Sequence, residues 1–219
     1  MAKRLKTAVL LSGSGTTLKN LIDRREKGEV PIDIDLVISS KPNAGGLKIA
    51  ADAGIRTKVI SPKNFTKPGR EAETLNNWEA MSAELNKLLL PGGYDVICMA
   101  GYLSRYIIPD ALFGKVLNIH PSLIPMFCGP DMYGMRVHQA VVDSGVKITG
   151  CTVHIANNEY DAGPIILQRS CPVYSHDTPE DVAKRVFAEE CEAYPEALRL
   201  IAEDRLEIIS NTRVFIKVN

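Results

Sequence analysis

The segment Val116-Leu117-Asn118-Ile119-His120-Pro121-Ser122 places an amide and an imidazole two residues apart at the end of an apolar run. In an extended chain, residues i and i+2 project from the same face, so Asn118 and His120 point together at whatever lies above that strand. An amide N–H donates to a developing oxyanion, and an imidazole moves protons near neutral pH. Pro121 biases His120 toward extended backbone and ends the strand where the imidazole is presented.

Two further constellations carry chemistry. Ser12-Gly13-Ser14-Gly15-Thr16-Thr17-Leu18 follows a short apolar run and opens a helical pattern. Its glycines let backbone approach a ligand closely. The free N–H groups of a first helical turn, with the hydroxyls of Thr16 and Thr17, make an anion site that favours a phosphate. The loop is neither a Walker A sequence, since no Lys follows the second glycine, nor a G-x-G-x-x-G fingerprint. The third constellation, residues 157–164, is a polar loop between two apolar runs. The sharp Ala-Gly-Pro turn after Asp161 could lean its carboxylate toward His120, where it would keep the imidazole cationic. His138, His154 and His176 are weaker candidates, and His154, in an apolar strand with Thr152 on its face, could approach the same site but reads better as a satisfied core histidine.

These groups need elements to position them. Apolar runs of strand length at 7–11, 33–39, 57–60, 96–99, 116–119, 149–155 and 165–173 alternate with helical periodicity at 16–25, 45–53, 70–90, 135–144 and 179–201. That alternation predicts an α/β fold with a mostly parallel, open twisted sheet of about seven strands flanked by helices. Thr178 is a candidate N-cap, with Pro179 at the first helical position and Glu180 and Asp181 at the positive end of the helix dipole. Residues 62–69 and 125–134 read as loops, and 206–209 as a small extra strand in a polar tail. In open α/β sheets ligands bind outside the carboxyl ends of the strands, so the glycine loop and the Asn118/His120 strand end are expected at one crevice. With no repeat and no linker-like stretch, residues 1–219 read as one domain. Its N-terminal half would bind phosphate and its C-terminal half would do the chemistry.

Bulk composition bounds the partners. Hydrophobic residues make up 45% and charged residues 24%, and 26 Lys and Arg balance 26 Asp and Glu. No basic surface for nucleic acid or an acidic membrane is implied. The apolar stretch after the basic N-terminus is too short for a signal-peptide core or a membrane span, so a cytoplasmic protein is expected. Five widely spaced cysteines with no C-x-x-C pair support neither a disulfide framework nor a zinc site, and no metal is expected.

The chain resembles the folate-dependent formyltransferases over nearly its whole length. The resemblance rests on 10–18, on Ser39-Ser40-Lys41-Pro42-Asn43-Ala44-Gly45-Gly46-Leu47, and on Ala100-Gly101-Tyr102. It rests further on 117–125, on Asp161-Ala162-Gly163-Pro164-Ile165-Ile166 and on Ala193-Tyr194-Pro195. The Asn-Ile-His-Pro-Ser with a downstream Asp-x-Gly-Pro marks the family, and the N-terminal Ser-Gly-x-Gly-x-x-Leu loop narrows it to the glycinamide ribonucleotide branch.

The resemblance implies a Rossmann-like formyltransferase fold and transfer of a formyl group from 10-formyltetrahydrofolate, as co-substrate, to the amine of glycinamide ribonucleotide. It implies small-molecule substrates and a monomer or homodimer. Asn118 and His120 would then stabilise the tetrahedral intermediate and assist proton transfer, with Asp161 supporting the histidine. Gly15, Thr16 and Thr17 match the loop that holds the ribonucleotide phosphate, and Glu190 the acid that contacts its ribose. The folate side would be lined by Arg70, by Leu103, Ser104, Arg105, Tyr106 and Ile107, by Val116 and Asn118, and by Ala156, Asn157 and Asp161. Three places depart from the commoner pattern: Thr17 replaces an asparagine, 103–109 is one residue longer, so that Ser104 or Arg105 aligns with the folate arginine, and the loop 126–135 is extended.

Other readings use the same residues. A formyltetrahydrofolate hydrolase, or an amine formyltransferase acting on methionyl-tRNA or an amino sugar, would share the fold, although such relatives usually carry an extra domain for which 219 residues leave no room. A non-catalytic Rossmann-like nucleotide-binding module would explain the glycine loop but not the joint presence of Asn118, His120 and Asp161.

Overall fold

A computed structural model describes residues 3–65 and 74–218, the backbone alone for 74–77. Two compact units divide the chain, one comprising residues 4–28 and 32–116, the other residues 1–3, 29–31 and 117–219.

The first unit contains β1 (Leu5–Leu11), α1 (Thr16–Glu26), β2 (Ile32–Ser39), α2 (Gly45–Asp52), β3 (Arg56–Val59), a 3₁₀ turn at Pro62–Phe65, α3 (Thr74–Leu89) and β4 (Val96–Met99). Its strands run in the order β3-β2-β1-β4, and every pairing is parallel. Ala8 to Leu11 are fully buried, the continuous apolar run expected of a parallel strand covered on both faces. Leu18, Leu21 and Ile22 bury the i, i+3, i+4 stripe of α1. The predicted elements are present with ends moved by a few residues. The exception is 70–90, of which 70–73 lie outside the described residues.

The second unit contains β5 (Val116–His120) from its second residue onward, α4 (Met135–Ser144), β6 (Ile148–Ile155), β7 (Ile165–Pro172), α5 (Pro179–Ala202), β8 (Leu206–Ser210) and β9 (Arg213–Ile216). Here β6 pairs antiparallel with both β5 and β7, β7 runs parallel to β9, and β8 and β9 close a terminal hairpin. The sheet was expected to be mostly parallel, and its antiparallel pairings fall in this unit. The link from β6 to β7 is too short for the crossover a parallel pair requires. The tail forms two strands where one was expected. Helix α5 starts as predicted: Thr178 Oγ1 accepts from the Asp181 N–H at 3.3 Å, and the Thr178 N–H donates to Asp181 Oδ2 at 3.1 Å, a reciprocal capping box with Pro179 in the first turn. The fully buried Tyr194 donates from its hydroxyl to the Leu117 carbonyl at 3.0 Å, anchoring α5 beside the residue that precedes Asn118. Among the described residues, no helix is long and apolar enough to cross a membrane.

Candidate active site

Asn118 and His120 leave β5 on the same face, as the two-residue period requires, and both reach one carboxylate. Asn118 Nδ2 lies 3.5 Å from Asp161 Oδ1, and His120 Nδ1 lies 3.5 Å from Asp161 Oδ2. The His120 and Asp161 side chains are 5% and 12% exposed, so the pair interacts in a poorly screened environment.

The loop at 156–164 carries Asp161 to this position. The Ile155 N–H donates to the Pro164 carbonyl at 2.9 Å and closes the loop base. A side chain at Gly163 would strike the Ile155 carbonyl, so this closure needs glycine there. Asn157 Oδ1 accepts from the Glu159 N–H at 2.9 Å, an Asx turn, and Asp161 itself adopts a left-handed φ of 52°. Its Oδ2 also accepts from the Gly129 N–H at 2.9 Å.

His154, which the sequence allowed near this site but favoured as a core histidine, lies within reach of Asn118 and Asp161. It is buried, and its Nδ1 lies 3.2 Å from the Ile155 carbonyl, which only a protonated nitrogen can satisfy. Nε2 is then the acceptor that faces Asn118 Nδ2 at 3.1 Å. Burial pushes the imidazole below its ordinary 6.5, against the pull of Asp161. The Asn118 amide is thus turned toward His154 and Asp161, where the sequence suggested a donor facing only substrate.

Acceptors face both nitrogens of His120: Asp161 Oδ2 opposite Nδ1, and the Phe127 carbonyl oxygen 2.8 Å from Nε2. His138, in α4, is buried, its Nδ1 lacks a partner among the described residues, and burial together with the His120 charge pushes it down. Cys128 donates to the Pro125 carbonyl at 3.3 Å, and burial and the Asp161 charge push its thiol up, away from the reactive thiolate. Among the described residues no cluster of His, Cys, Asp and Glu could hold a metal ion.

The glycine loop, in the first unit, has the geometry of an uncapped helix start. Gly15 is left-handed at φ 81°, a side chain there would strike the Gly46 Cα, and the Gly46 N–H donates to the Gly13 carbonyl at 3.2 Å. The N-termini of α1 and α2 therefore meet, and neither has a side-chain cap. Ser12 is spent on structure, its Oγ 2.6 Å from Ser40 Oγ and accepting from the Leu103 N–H at 2.9 Å. Thr16 is exposed and Thr17 partly so.

Glu190, on α5, has no ion-pair or hydrogen-bond partner among the described residues, and burial pushes its carboxyl up to about 7. The adjacent Glu189 pairs with Arg169 at 2.8 Å. Of the expected folate-side residues, Arg70 lies outside the described residues. Leu103 is exposed, Ser104, Arg105 and Ile107 are partly exposed, and Val116 is fully buried. Tyr106 donates to Asn86 Oδ1 at 2.6 Å and the Ile107 N–H donates to Ser82 Oγ at 2.9 Å, so α3 fixes this segment. In the second unit, Ala156 is buried and Asn157 partly exposed.

Comparison with known proteins places these residues in context. The family model described as formyl transferase matches residues 5–198. The chain is 37% identical to phosphoribosylglycinamide formyltransferase, chloroplastic, of Arabidopsis thaliana, covering 94% of this chain and 68% of that protein. It is 37% identical to the trifunctional purine biosynthetic protein adenosine-3 of Bos taurus, over 97% of this chain but only 20% of that longer protein. The structure superposes with a TM-score of 0.84 on glycinamide ribonucleotide transformylase 1 from Symbiobacterium toebii, at 39% identity, covering 97% of this chain and 93% of that one.

Proposed function

The chain belongs to the formyl transferase family, and from that premise we propose that it transfers the formyl group of 10-formyltetrahydrofolate to the amine of glycinamide ribonucleotide in purine biosynthesis. The observation that carries the reading is the convergence of Asn118 and His120 on Asp161 at 3.5 Å each. A cytoplasmic protein working as a monomer or homodimer accords with it.

Attack of the amine on the formyl carbon moves an electron pair onto the formyl oxygen. His120 donates from Nε2 to that oxygen while Nδ1 faces Asp161. Of the two Asn118 contacts, the 3.5 Å one to Asp161 is at the limit of a hydrogen bond, so that N–H is the one free to turn to the oxyanion. His154 keeps the amide plane in place from the other side. Collapse of the intermediate breaks the bond between the formyl carbon and the folate nitrogen, and the proton lost by the amine ends on that nitrogen. The uncapped start of α1 at Thr16 and Thr17 takes the phosphate, and Glu190 the ribose.

Tetrahydrofolate release from 10-formyltetrahydrofolate, measured with and without glycinamide ribonucleotide, tests this. Release that depends on the ribonucleotide is the expected result. Release without it would make the protein a hydrolase, and none in either case would leave a binding module.

A further inference from the structure

His120 as found meets an acceptor at each ring nitrogen. Nδ1 faces Asp161 Oδ2 at 3.5 Å, and Nε2 donates to the Phe127 carbonyl at 2.8 Å. That partner is itself a carbonyl oxygen, the kind of acceptor a formyl group presents. We propose that the Phe127 carbonyl is an internal stand-in for the formyl oxygen, latched onto His120 by Ser122, and that the donor engages by displacing it. The proposal rests on the formyl-transfer reading and adds to it a positioning residue, Ser122, and a resting state.

Three observations converge on this exchange. Phe127 holds a left-handed φ of 52°, a conformation unfavourable for a residue with a Cβ, so the docked form is biased toward release. Ser122, fully buried, donates to the Met126 carbonyl at 2.5 Å and lies 3.3 Å from the Phe127 carbonyl oxygen, which holds the turn against that bias. The root of the turn is fixed independently. Thr152 donates to the Ser122 carbonyl at 2.7 Å and accepts from the Ile124 N–H at 3.1 Å and Gln168 Nε2 at 2.9 Å.

Beyond Phe127 the constraints change. Gly129 has φ 96°, and an added Cβ there would meet nothing within 4 Å. The Gly129 N–H is tied to Asp161 Oδ2 at 2.9 Å, so release of the Phe127 carbonyl turns the peptide between a root held by Thr152 and this tether. One carbonyl replaces another on Nε2, so the ring N–H is never left unpaired in a buried site, the costly alternative.

A graded series tests the latch. Phe127→Asn and Phe127→Gly tolerate the left-handed backbone progressively better and stabilise the docked form. The KM for 10-formyltetrahydrofolate should rise in the order Phe, Asn, Gly, by about fivefold or more for Gly. The inhibition constant of tetrahydrofolate, which lacks the displacing oxygen, should move far less. Ser122→Ala should shift the same KM downward. Equal shifts for donor and product, or no shift with Gly, would overturn the latch. Nitrogen-15 NMR of the histidine rings gives a readout independent of turnover. The His120 Nε2–H should exchange slowly in the free protein, and exchange as fast as in the exposed His176 would refute the resting contact. If the slow proton is present and no formyl transfer occurs with any amine, the functional reading fails while the Phe127 contact stands.

Discussion

Asn118 and His154 sit directly opposite each other in the β5–β6 ladder, and this register brings Asn118 Nδ2 within 3.1 Å of His154 Nε2. Directly opposed side chains on one face of an antiparallel pair are in contact range, so the amide is held by its neighbour across the sheet. His154→Phe should lower kcat roughly 10- to 100-fold, because misplacement of a reacting group on the ångström scale has that cost. His154→Gln, whose amide oxygen also accepts, should recover part of the loss. Steady-state rates beside thermal melting separate this from unfolding, and a Phe variant with full turnover would remove His154 from the site.

The same burial makes stability depend on pH. His154 and His138 are both pushed below 6.5, so below that value the unfolded chain binds protons that the folded protein resists. Their contribution is complete above about 6.5 and is lost as pH falls toward the lowered folded values. Denaturant titrations at pH 7.5 and 5.5 should show the wild type losing stability on acidification relative to a variant with both histidines replaced by apolar residues, Glu190 titrating in the opposite sense in both proteins.

Asp161 gathers the His120 ring, the Asn118 amide and the Gly129 N–H on one carboxylate. Asp161→Asn keeps an acceptor oxygen but removes the charge. Turnover should fall by orders of magnitude while the melting temperature stays within a few degrees, since the lost interaction belongs to the transition state. Turnover like that of the wild type in purified Asp161→Asn protein would falsify the proposed role.

At the glycine loop, Thr16→Val and Thr17→Val remove hydroxyls beside the uncapped start of α1. Each should raise the KM for the ribonucleotide more than that for the folate, and equal effects would count against a phosphate site. Gly15→Ala tests the backbone: a Cβ at φ 81° against the Gly46 Cα should destabilise by about 1–3 kcal/mol, read as a lowered denaturation midpoint.

Glu190 is an acid held at about 7 by burial. Between its ordinary 4.5 and that value the unfolded chain has lost a proton the folded chain keeps. Stability therefore falls as pH rises through this window and is flat above it. Glu190→Gln should stabilise the protein at pH 8 by up to about 3 kcal/mol and change little at pH 4.5. The same variant should raise the KM for the ribonucleotide. A variant no more stable at pH 8 than at pH 4.5, relative to wild type, would mean the carboxyl is not desolvated.

Much of the site was legible because its signals are local. The two-residue period of a strand set Asn118 and His120 on one face, the Thr178 cap and Pro179 marked the start of α5, and the loop glycines marked an exposed helix N-terminus. His154 was only half legible, since its strand face allowed an approach to the site while its apolar surroundings favoured a core role. An apolar strand predicts burial, and burial does not say which partner the imidazole finds. The antiparallel pairings of the second unit were only partly readable: the short β6–β7 link forbids a crossover, whereas the β5–β6 link contains a helix and fits either direction.

The sequence by itself determined the inventory: an amide, an imidazole and a carboxylate at strand and loop ends, a glycine-rich helix start, and the family to which these belong. Tertiary structure decided the pairings. His154 is 36 residues from Asn118 and Gly129 is 32 from Asp161, and their hydrogen bonds depend on strand register and loop closure, which no local pattern encodes. The Phe127 carbonyl on His120 is close in sequence, yet it depends on a turn whose root is held by Thr152 from another strand. Local periodicity fixes where a side chain points. Only the packed chain fixes what it meets.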